Sequence, residues 1–209
     1  MSGLVVLEGR WQNNRNVSVR SLFDLLMDME FQSIHRYHFE NFANRDALHA
    51  IVEHVCRQGA RKKYLYIGAH GNQNAIRGSV SNISRAEIRN ILRNQVGPQI
   101  RGIFFGSCLF GNQNNAAFFF NRDAGIANSI RWIAGYGVKV DWIQSSALDI
   151  IFWQQIFRQR EAQPDANENI IIEHVCTYLK ENLSGLVTTL QFQVYRRRPH
   201  HLHEPQALI

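Results

Sequence analysis

Short apolar runs alternate with amphipathic segments along most of the chain. The apolar runs have the length of strands, and several of them are continuous, as in strands that are buried on both faces. They lie at residues 4–7, 64–71, 103–110 and 131–136, and further strands are predicted at 33–39 and 186–195. Between them, helices are predicted over residues 19–29, 46–57, 85–94, 116–130 (with an interruption near 121–125), 147–157 and 169–183.

Strands that alternate with helices of about 10 to 15 residues are typical of βαβ units. The pattern therefore predicts an α/β fold, in which a mainly parallel sheet of about six strands forms the middle of a three-layer α/β/α sandwich. Residues 1–198 are expected to form one domain, with the turn-forming residues 163–167 as its best internal linker. Residues 199–209 are expected to be a flexible C-terminal tail.

The composition fits an ordinary single domain. A chain of 209 residues is long enough to bury a sizeable core. Its three cysteines, Cys56, Cys108 and Cys176, are too few for a disulfide framework and form no C-x-x-C pair, which favours a reducing, cytoplasmic location. The N-terminal residues lack the pattern of a signal peptide, and no apolar run approaches the ~20 residues of a membrane span.

The chain is basic, with a formal net charge of +6 and a pI near 9.5. The arginines are spread through the sequence, and their densest cluster, at 196–198, has no interleaved aromatic residues. Such a cluster is more typical of a solvated strand end than of a phosphate-binding surface. A basic nucleic-acid-binding domain remains an alternative, and its affinity for nucleic acid would fall steeply with added salt.

Two of the predicted strands end beside a reactive side chain. His70 follows the apolar run that begins at Tyr64, and Cys108 follows the run that begins at Ile103. Because ligands and chemistry collect at the carboxyl ends of parallel strands, we expect these two side chains to meet at one edge of the sheet. A cysteine whose thiolate is generated by a nearby histidine is an activated nucleophile.

These residues carry a resemblance to a known family. Ala69-His70-Gly71 at the end of one buried strand, and Gly106-Ser107-Cys108 at the end of the next, are similar to the dyad region of the caspase-like cysteine peptidases, the group of the caspases, metacaspases, paracaspases and separase. The order of elements resembles that family from residue 4 to about 157. The resemblance implies an endopeptidase that needs neither a metal nor an organic cofactor.

The resemblance also implies a role for each of these residues. Cys108 would attack the scissile carbonyl, and His70 would protonate the leaving amine. The backbone N–H groups of Gly71 and Cys108 would hold the oxyanion, which explains a glycine directly after the histidine.

The sequence departs from the family at the positions that select the substrate side chain before the scissile bond, called P1. Metacaspases carry an aspartate where Gly106 stands, and caspases carry a glutamine where Ser107 stands. Arg10, after the first strand, would favour an acidic P1 residue, whereas Asp141, after the 131–136 strand, would favour a basic one. We favour Asp141, and we expect Trp142 and Trp11 to border the substrate groove.

The resemblance implies a protein or peptide as substrate. Small bacterial members of this kind resemble effectors that a partner protein releases during stress or phage defence, so an activating partner is also expected. If the last strand lies at the sheet edge, it could pair with its twin in a homodimer. A catalytically silent caspase-like module that acts through protein contacts is the main alternative function.

The chain also contains two identical Glu-His-Val-Cys stretches, at 53–56 and 173–176. Two His-x-Cys units could in principle bind zinc. On a helix, however, positions i and i+2 do not face the same side. We therefore expect no metal site, and we expect Cys56 and Cys176 to face the core.

Overall fold

The computed structural model describes residues 3–12, 14–15, 17–29, 37–57, 62–198 and 204–209. Within them, nine strands and six helices follow one another along the chain. In order, they are β1 (Gly3–Glu8), α1 (Arg20–Met29), β2 (Tyr37–Asn41), α2 (Arg45–Arg57), β3 (Lys62–Gly68), β4 (Ala75–Arg77), β5 (Asn82–Ser84), α3 (Arg85–Asn94), β6 (Gly102–Gly106), α4 (Gln113–Phe119), β7 (Trp132–Tyr136), α5 (Trp142–Ala162), α6 (Glu168–Thr189), β8 (Phe192–Arg196) and β9 (Gln206–Ala207).

Seven of these strands form one sheet in the order β2-β1-β3-β6-β7-β8-β9. The pairs from β2 to β7 are parallel, and β8 and β9 are antiparallel to their neighbours. Strands β4 and β5 form a separate small hairpin between β3 and α3. The predicted α/β class with a mostly parallel sheet is confirmed, with one strand more than the expected number.

The sheet is buried because its strands send alternate side chains into two hydrophobic clusters. In β1, Leu4 and Val6 join the cluster that contains side chains of α1, α5 and α6. Val5 and Leu7 join the second cluster, with side chains of α2 and α3. A strand that is apolar at every position therefore contributes to the core on both faces.

Two regions differ from the prediction. The helix expected over 116–130, with an interruption near 121–125, is only the short α4. The helix expected over 169–183 is followed, across a kink at Leu183 (φ −135°, ψ 27°), by a second helical stretch that carries α6 to Thr189, where a strand was expected to begin. A Cβ atom at Gly185 would meet open space, so no close contact requires a glycine here, and the glycine costs the helix only about 1 kcal/mol relative to alanine. Val187 is buried in the core, and burial of the helix end explains why it continues.

The prediction of a flexible tail at 199–209 is corrected for the residues that the structure describes. Gln206–Ala207 form β9 and pair with Arg196 and Tyr195 of β8. Leu208 donates its backbone N–H to the carbonyl of Val194 at 2.8 Å and packs against the core. Residues 199–203 lie outside the described residues. Strand β8 is therefore covered at this end, and the outer position that a twin strand could use belongs to β9.

No helix in the described part of the chain combines the length and the apolar character that crossing a membrane requires.

Candidate functional site

The histidine and the cysteine leave the sheet side by side. Strands β3 and β6 are paired in parallel up to Gly68 and Gly106, and His70 and Cys108 each follow two residues later. The two chains remain in contact beyond the strands, because Ala69 donates its N–H to the carbonyl of Gly106 at 3.4 Å. Both side chains line the same cavity, as the two strand ends predicted.

Gly71 packs directly on the chain around the cysteine. A Cβ atom at this position would lie 2.9 Å from the carbonyl oxygen of Cys108 and 2.9 Å from Cβ of Ser107, so a side chain here would push the two segments apart. Gly71 also pairs with Ile76, and the hydrogen bonds on either side of it use the carbonyl of His70 and the N–H of Asn72. The N–H of Gly71 therefore points away from that pairing.

The chain turns sharply after Cys108. Leu109 has a φ of 63°, in the left-handed region that a leucine seldom adopts, and its N–H donates to the carbonyl of Val138 at 3.0 Å. Gly111 continues the turn and donates its N–H to the carbonyl of Tyr136 at 2.9 Å. The backbone N–H of Val140 lies 3.5 Å from Sγ of Cys108. The segment that follows β7 thus holds the half-buried cysteine in place.

His70 is oriented by a backbone carbonyl. Its Nε2 lies 2.6 Å from the carbonyl oxygen of Trp11, and the two rings meet edge to face with centroids 5.3 Å apart. Because a carbonyl oxygen only accepts, Nε2 carries a proton, and Nδ1 is left as the nitrogen that can take up or return a proton. This contact supplies the orienting partner that the sequence analysis did not identify.

Trp11 is itself held by a buried carboxylate. Its indole N–H donates to Glu8 at 2.5 Å, and Ser18 and Val19 donate to the same carboxylate at 2.6 and 2.7 Å. Glu8 is only 2% exposed and ends β1. The loop after the first strand is therefore anchored beside His70, and Trp11 contacts Trp142 with ring centroids 4.8 Å apart.

A cavity of about 400 Å³, which we call the Cys108 cavity, extends from His70 and Cys108 into the protein. At its mouth lie exposed or half-buried residues: Trp11, Gln12, Val17, His70, Cys108, Val140 and Trp142. Its inner end is formed by buried residues of β3, β6, β7 and α5 and of the turn before α1: Val19, Tyr66, Gly106, Tyr136, Ser145, Ser146 and Asp149. A volume of this size falls in the range of roughly 300–1,000 Å³ that is usual for ligand cavities.

The inner end of the cavity contains a buried carboxylate. Asp149 accepts hydrogen bonds from the hydroxyls of Tyr66 at 2.8 Å and Tyr136 at 2.5 Å. Burial raises the pKa of Asp149 to about 7, against the opposing effect of these two hydrogen bonds. Burial and then the neighbouring Asp149 raise the pKa of both tyrosines well above the usual value, so they remain protonated donors.

Tyr66 also explains why position 106 is a glycine. A Cβ atom on Gly106 would lie 2.1 Å from the Tyr66 hydroxyl oxygen, so only a glycine leaves room for this ring. The space beside the cysteine is thus occupied by a phenol that donates to Asp149. The carboxylate that accepts from this phenol belongs to Asp149 on α5 and not to a residue of β6.

Asp141 and Arg10 both lie outside the described lining of the Cys108 cavity. Asp141 is the N-cap of α5, and its carboxylate accepts from the N–H groups of Ile143 at 3.0 Å and Gln144 at 2.9 Å. Arg10 is exposed, and its Nε donates to the carbonyl of Gln12 at 3.1 Å. Neither is among the described residues that line the cavity, whereas Trp142 and Trp11 both are.

The remaining cysteines face the core, as predicted. Cys56 is fully buried in α2 and Cys176 is 4% exposed in α6. In the part of the chain that the structure describes, no three histidine, cysteine, aspartate or glutamate side chains lie close enough to hold a metal ion.

Asp149 was missed by the sequence analysis, although a signal was present. It is the one carboxylate in the apolar stretch 147–157, and it shares the buried face of the helix with Ser145 and Phe152. A charge on a buried helix face indicates a specific role.

No protein-family model matches the chain, and no curated protein matches its sequence significantly.

Proposed function

We propose that the chain is a cysteine endopeptidase with the three-layer architecture of the caspase-like peptidases, and that Cys108 and His70 form its catalytic dyad. The observation that carries the proposal is the common position of the two side chains, at the ends of paired parallel strands and on one cavity. Two hydrophobic clusters, one on each face of the sheet, support the three-layer architecture.

In this proposal each group has a task in peptide hydrolysis. Nδ1 of His70 takes the thiol proton while the sulfur of Cys108 attacks the scissile carbonyl carbon. The N–H groups of Gly71 and Cys108 stabilise the negative oxygen that forms. His70 then returns the proton to the nitrogen of the leaving amine as the C–N bond breaks. Water hydrolyses the resulting thioester, which releases the acid and restores the thiol.

Peptide cleavage by variants of the dyad tests this proposal. We expect Cys108→Ala and His70→Ala each to lower kcat/KM by roughly 10³-fold or more, as the removal of a nucleophile or its base does in other hydrolases. Cys176→Ala is the matched control, since it removes a thiol from the core. Activity that survives in Cys108→Ala would refute the dyad.

A thiol-directed peptide warhead provides a second, independent readout. It should label Cys108 and spare Cys176, because burial raises the pKa of the Cys176 thiol to about 12. A wild type that neither cleaves peptides of any P1 type nor reacts with the warhead would instead favour the silent interaction module.

A further inference from the structure

The Cys108 cavity has opposite chemistry at its two ends. Its mouth carries the dyad and two indole rings, and its inner end carries a carboxylate that is 5% exposed. The described residues that line the cavity include no lysine or arginine to balance that carboxylate. A buried carboxylate that lacks a cationic partner is costly, and its charge is stabilised when a cation binds beside it.

We propose that the Cys108 cavity is the pocket for the P1 side chain, that this side chain is an arginine or a lysine, and that Asp149 selects it. The inference rests on the proposed peptidase function, and it replaces Asp141 with Asp149 as the selecting residue. A P1 side chain must enter the protein beside the nucleophile, and the cavity leads from Cys108 to Asp149.

The walls of the cavity suit such a side chain along its whole length. Val17, Val19 and Val140 offer apolar contacts to an aliphatic stem. Trp11 and Trp142 lie at the mouth, where their rings can exclude water. At the inner end, Asp149 accepts hydrogen bonds from a guanidinium or ammonium group. An acidic P1 side chain would be repelled by the ionised Asp149.

The hydroxyls around Asp149 allow it to exist in two protonation states. The Tyr136 hydroxyl lies 3.0 Å from the carbonyl oxygen of Ser145 as well as 2.5 Å from Asp149. A protonated Asp149 can therefore donate to Tyr136, which then donates to Ser145, while Tyr66 still donates to Asp149. When Asp149 is ionised, both tyrosines donate to it. The free pocket thus tolerates a neutral carboxyl, and a cation favours the ionised form.

Cation binding should accordingly depend on pH. The groups that face Asp149 are Tyr66 on β3, Tyr136 on β7 and Ser145 on its own helix, with Cys108 and His70 at the mouth. Burial raises the pKa of Asp149 to about 7, so below that pH the carboxyl is protonated in the free pocket. It must lose this proton before it can bind a cation. The affinity for a cation should then fall by up to about ten-fold per pH unit below that value.

The test is a binding measurement, so that it does not depend on catalysis. N-acetyl-arginine methylamide is compared with N-acetyl-citrulline methylamide, which has nearly the same shape and no charge. Titration calorimetry uses the full chain as the Cys108→Ala/His70→Gln double variant, because histidines also change charge between pH 5 and 8. We expect the arginine compound to bind at least ten-fold more tightly at pH 8, and this ratio to shrink toward one at pH 5.

Substitutions in the same background identify the selecting carboxylate. Asp149→Asn should remove the preference for arginine, and the exposed Asp46→Asn on α2 should keep it. Equal affinities for the two compounds at pH 8, a ratio that does not change with pH, or a ratio that survives Asp149→Asn would overturn the proposal. If Asp149→Asn does not fold, the pH dependence of the ratio decides alone.

The peptidase proposal can fail separately from this one. Arginine binding that depends on Asp149, in a wild type that cleaves no peptide and ignores the warhead, would keep the pocket and reject the peptidase. Cleavage that is lost in Cys108→Ala, with an acidic or neutral P1 preference, would keep the peptidase and reject the role of Asp149.

Discussion

Two buried carboxylates lie near opposite ends of the same two strands. Glu168 accepts hydrogen bonds from Tyr64, near the start of β3, and from Nε1 of Trp132, at the start of β7. Asp149 accepts from Tyr66 further along β3 and from Tyr136 at the end of β7. All four aromatic side chains belong to one hydrophobic cluster.

The difference between the two sites is the cation. Glu168 is paired with the guanidinium of Arg160, which also donates to the carbonyl of Ala166 at 2.7 Å and to the hydroxyl of Tyr64 at 3.1 Å. The Glu168 site is a closed network that joins α5 and α6 to the sheet. Asp149 has the same kind of aromatic donors. Beside Asp149, however, lies the Cys108 cavity, whereas beside Glu168 lies the guanidinium of Arg160. This difference supports our proposal that Asp149 serves a ligand, whereas Glu168 serves the fold.

Arg160→Met should have the largest effect on stability. The two side chains of the ion pair are only 7% and 4% exposed, so the variant leaves Glu168 as an uncompensated buried charge. Breaking a buried pair in this way typically lowers the free energy of unfolding by about 3–5 kcal/mol. Urea unfolding at pH 7 measures the loss, and the double variant Arg160→Met/Glu168→Leu should recover part of it. A loss below about 1 kcal/mol would remove the contrast between the two sites.

Asp149→Asn should change the pH dependence of stability. The carboxyl titrates at its ordinary value near 3.8 in the unfolded chain and at about 7 in the folded protein. Between these values the folded protein binds more protons, so the free energy of unfolding of the wild type falls as pH rises, by up to about 1.4 kcal/mol per pH unit. Above about pH 7 the carboxyl is ionised in both the folded and the unfolded state, so it no longer makes the free energy of unfolding depend on pH.

The amide in Asp149→Asn does not titrate, so the variant should gain stability relative to the wild type from pH 5 to pH 7.5. Urea unfolding at four pH values across this range measures the difference. The exposed Asp46→Asn serves as the control, and its free energy of unfolding should change with pH in parallel with that of the wild type. If the free energy of unfolding of Asp149→Asn also changes in parallel with that of the wild type, the carboxyl is already ionised in the free protein across this pH range.

The sequence patterns predicted the features of the fold that depend on residues close together in the chain. The apolar runs predicted the strands that deliver His70 and Cys108, and parallel pairing then brought the two residues together. These predictions depend on neighbours in the chain.

What the sequence did not yield depends on contacts between distant segments. The orientation of α5 against β3 and β7 decides that Asp149, and not Asp141, faces the Cys108 cavity. The hydrogen bond from His70 to Trp11 joins residues 59 positions apart. The pairing of β9 with β8 is likewise invisible in local hydropathy, because two residues of strand carry no periodic pattern.

Asp141→Ala should have the smallest effect, and it extends the comparison to an exposed carboxylate. Loss of an N-cap usually lowers stability by about 1 kcal/mol, and Asp141→Asn should restore most of it because asparagine caps as well as aspartate. Urea unfolding measures this difference. Neither variant should alter the arginine-to-citrulline ratio, since the Asp141 carboxylate accepts its two hydrogen bonds from the start of α5 and Asp141 lies outside the described lining of the cavity. If Asp141→Asn keeps the stability and yet removes the arginine preference, the exposed carboxylate selects the substrate and Asp149 joins Glu168 as part of the core.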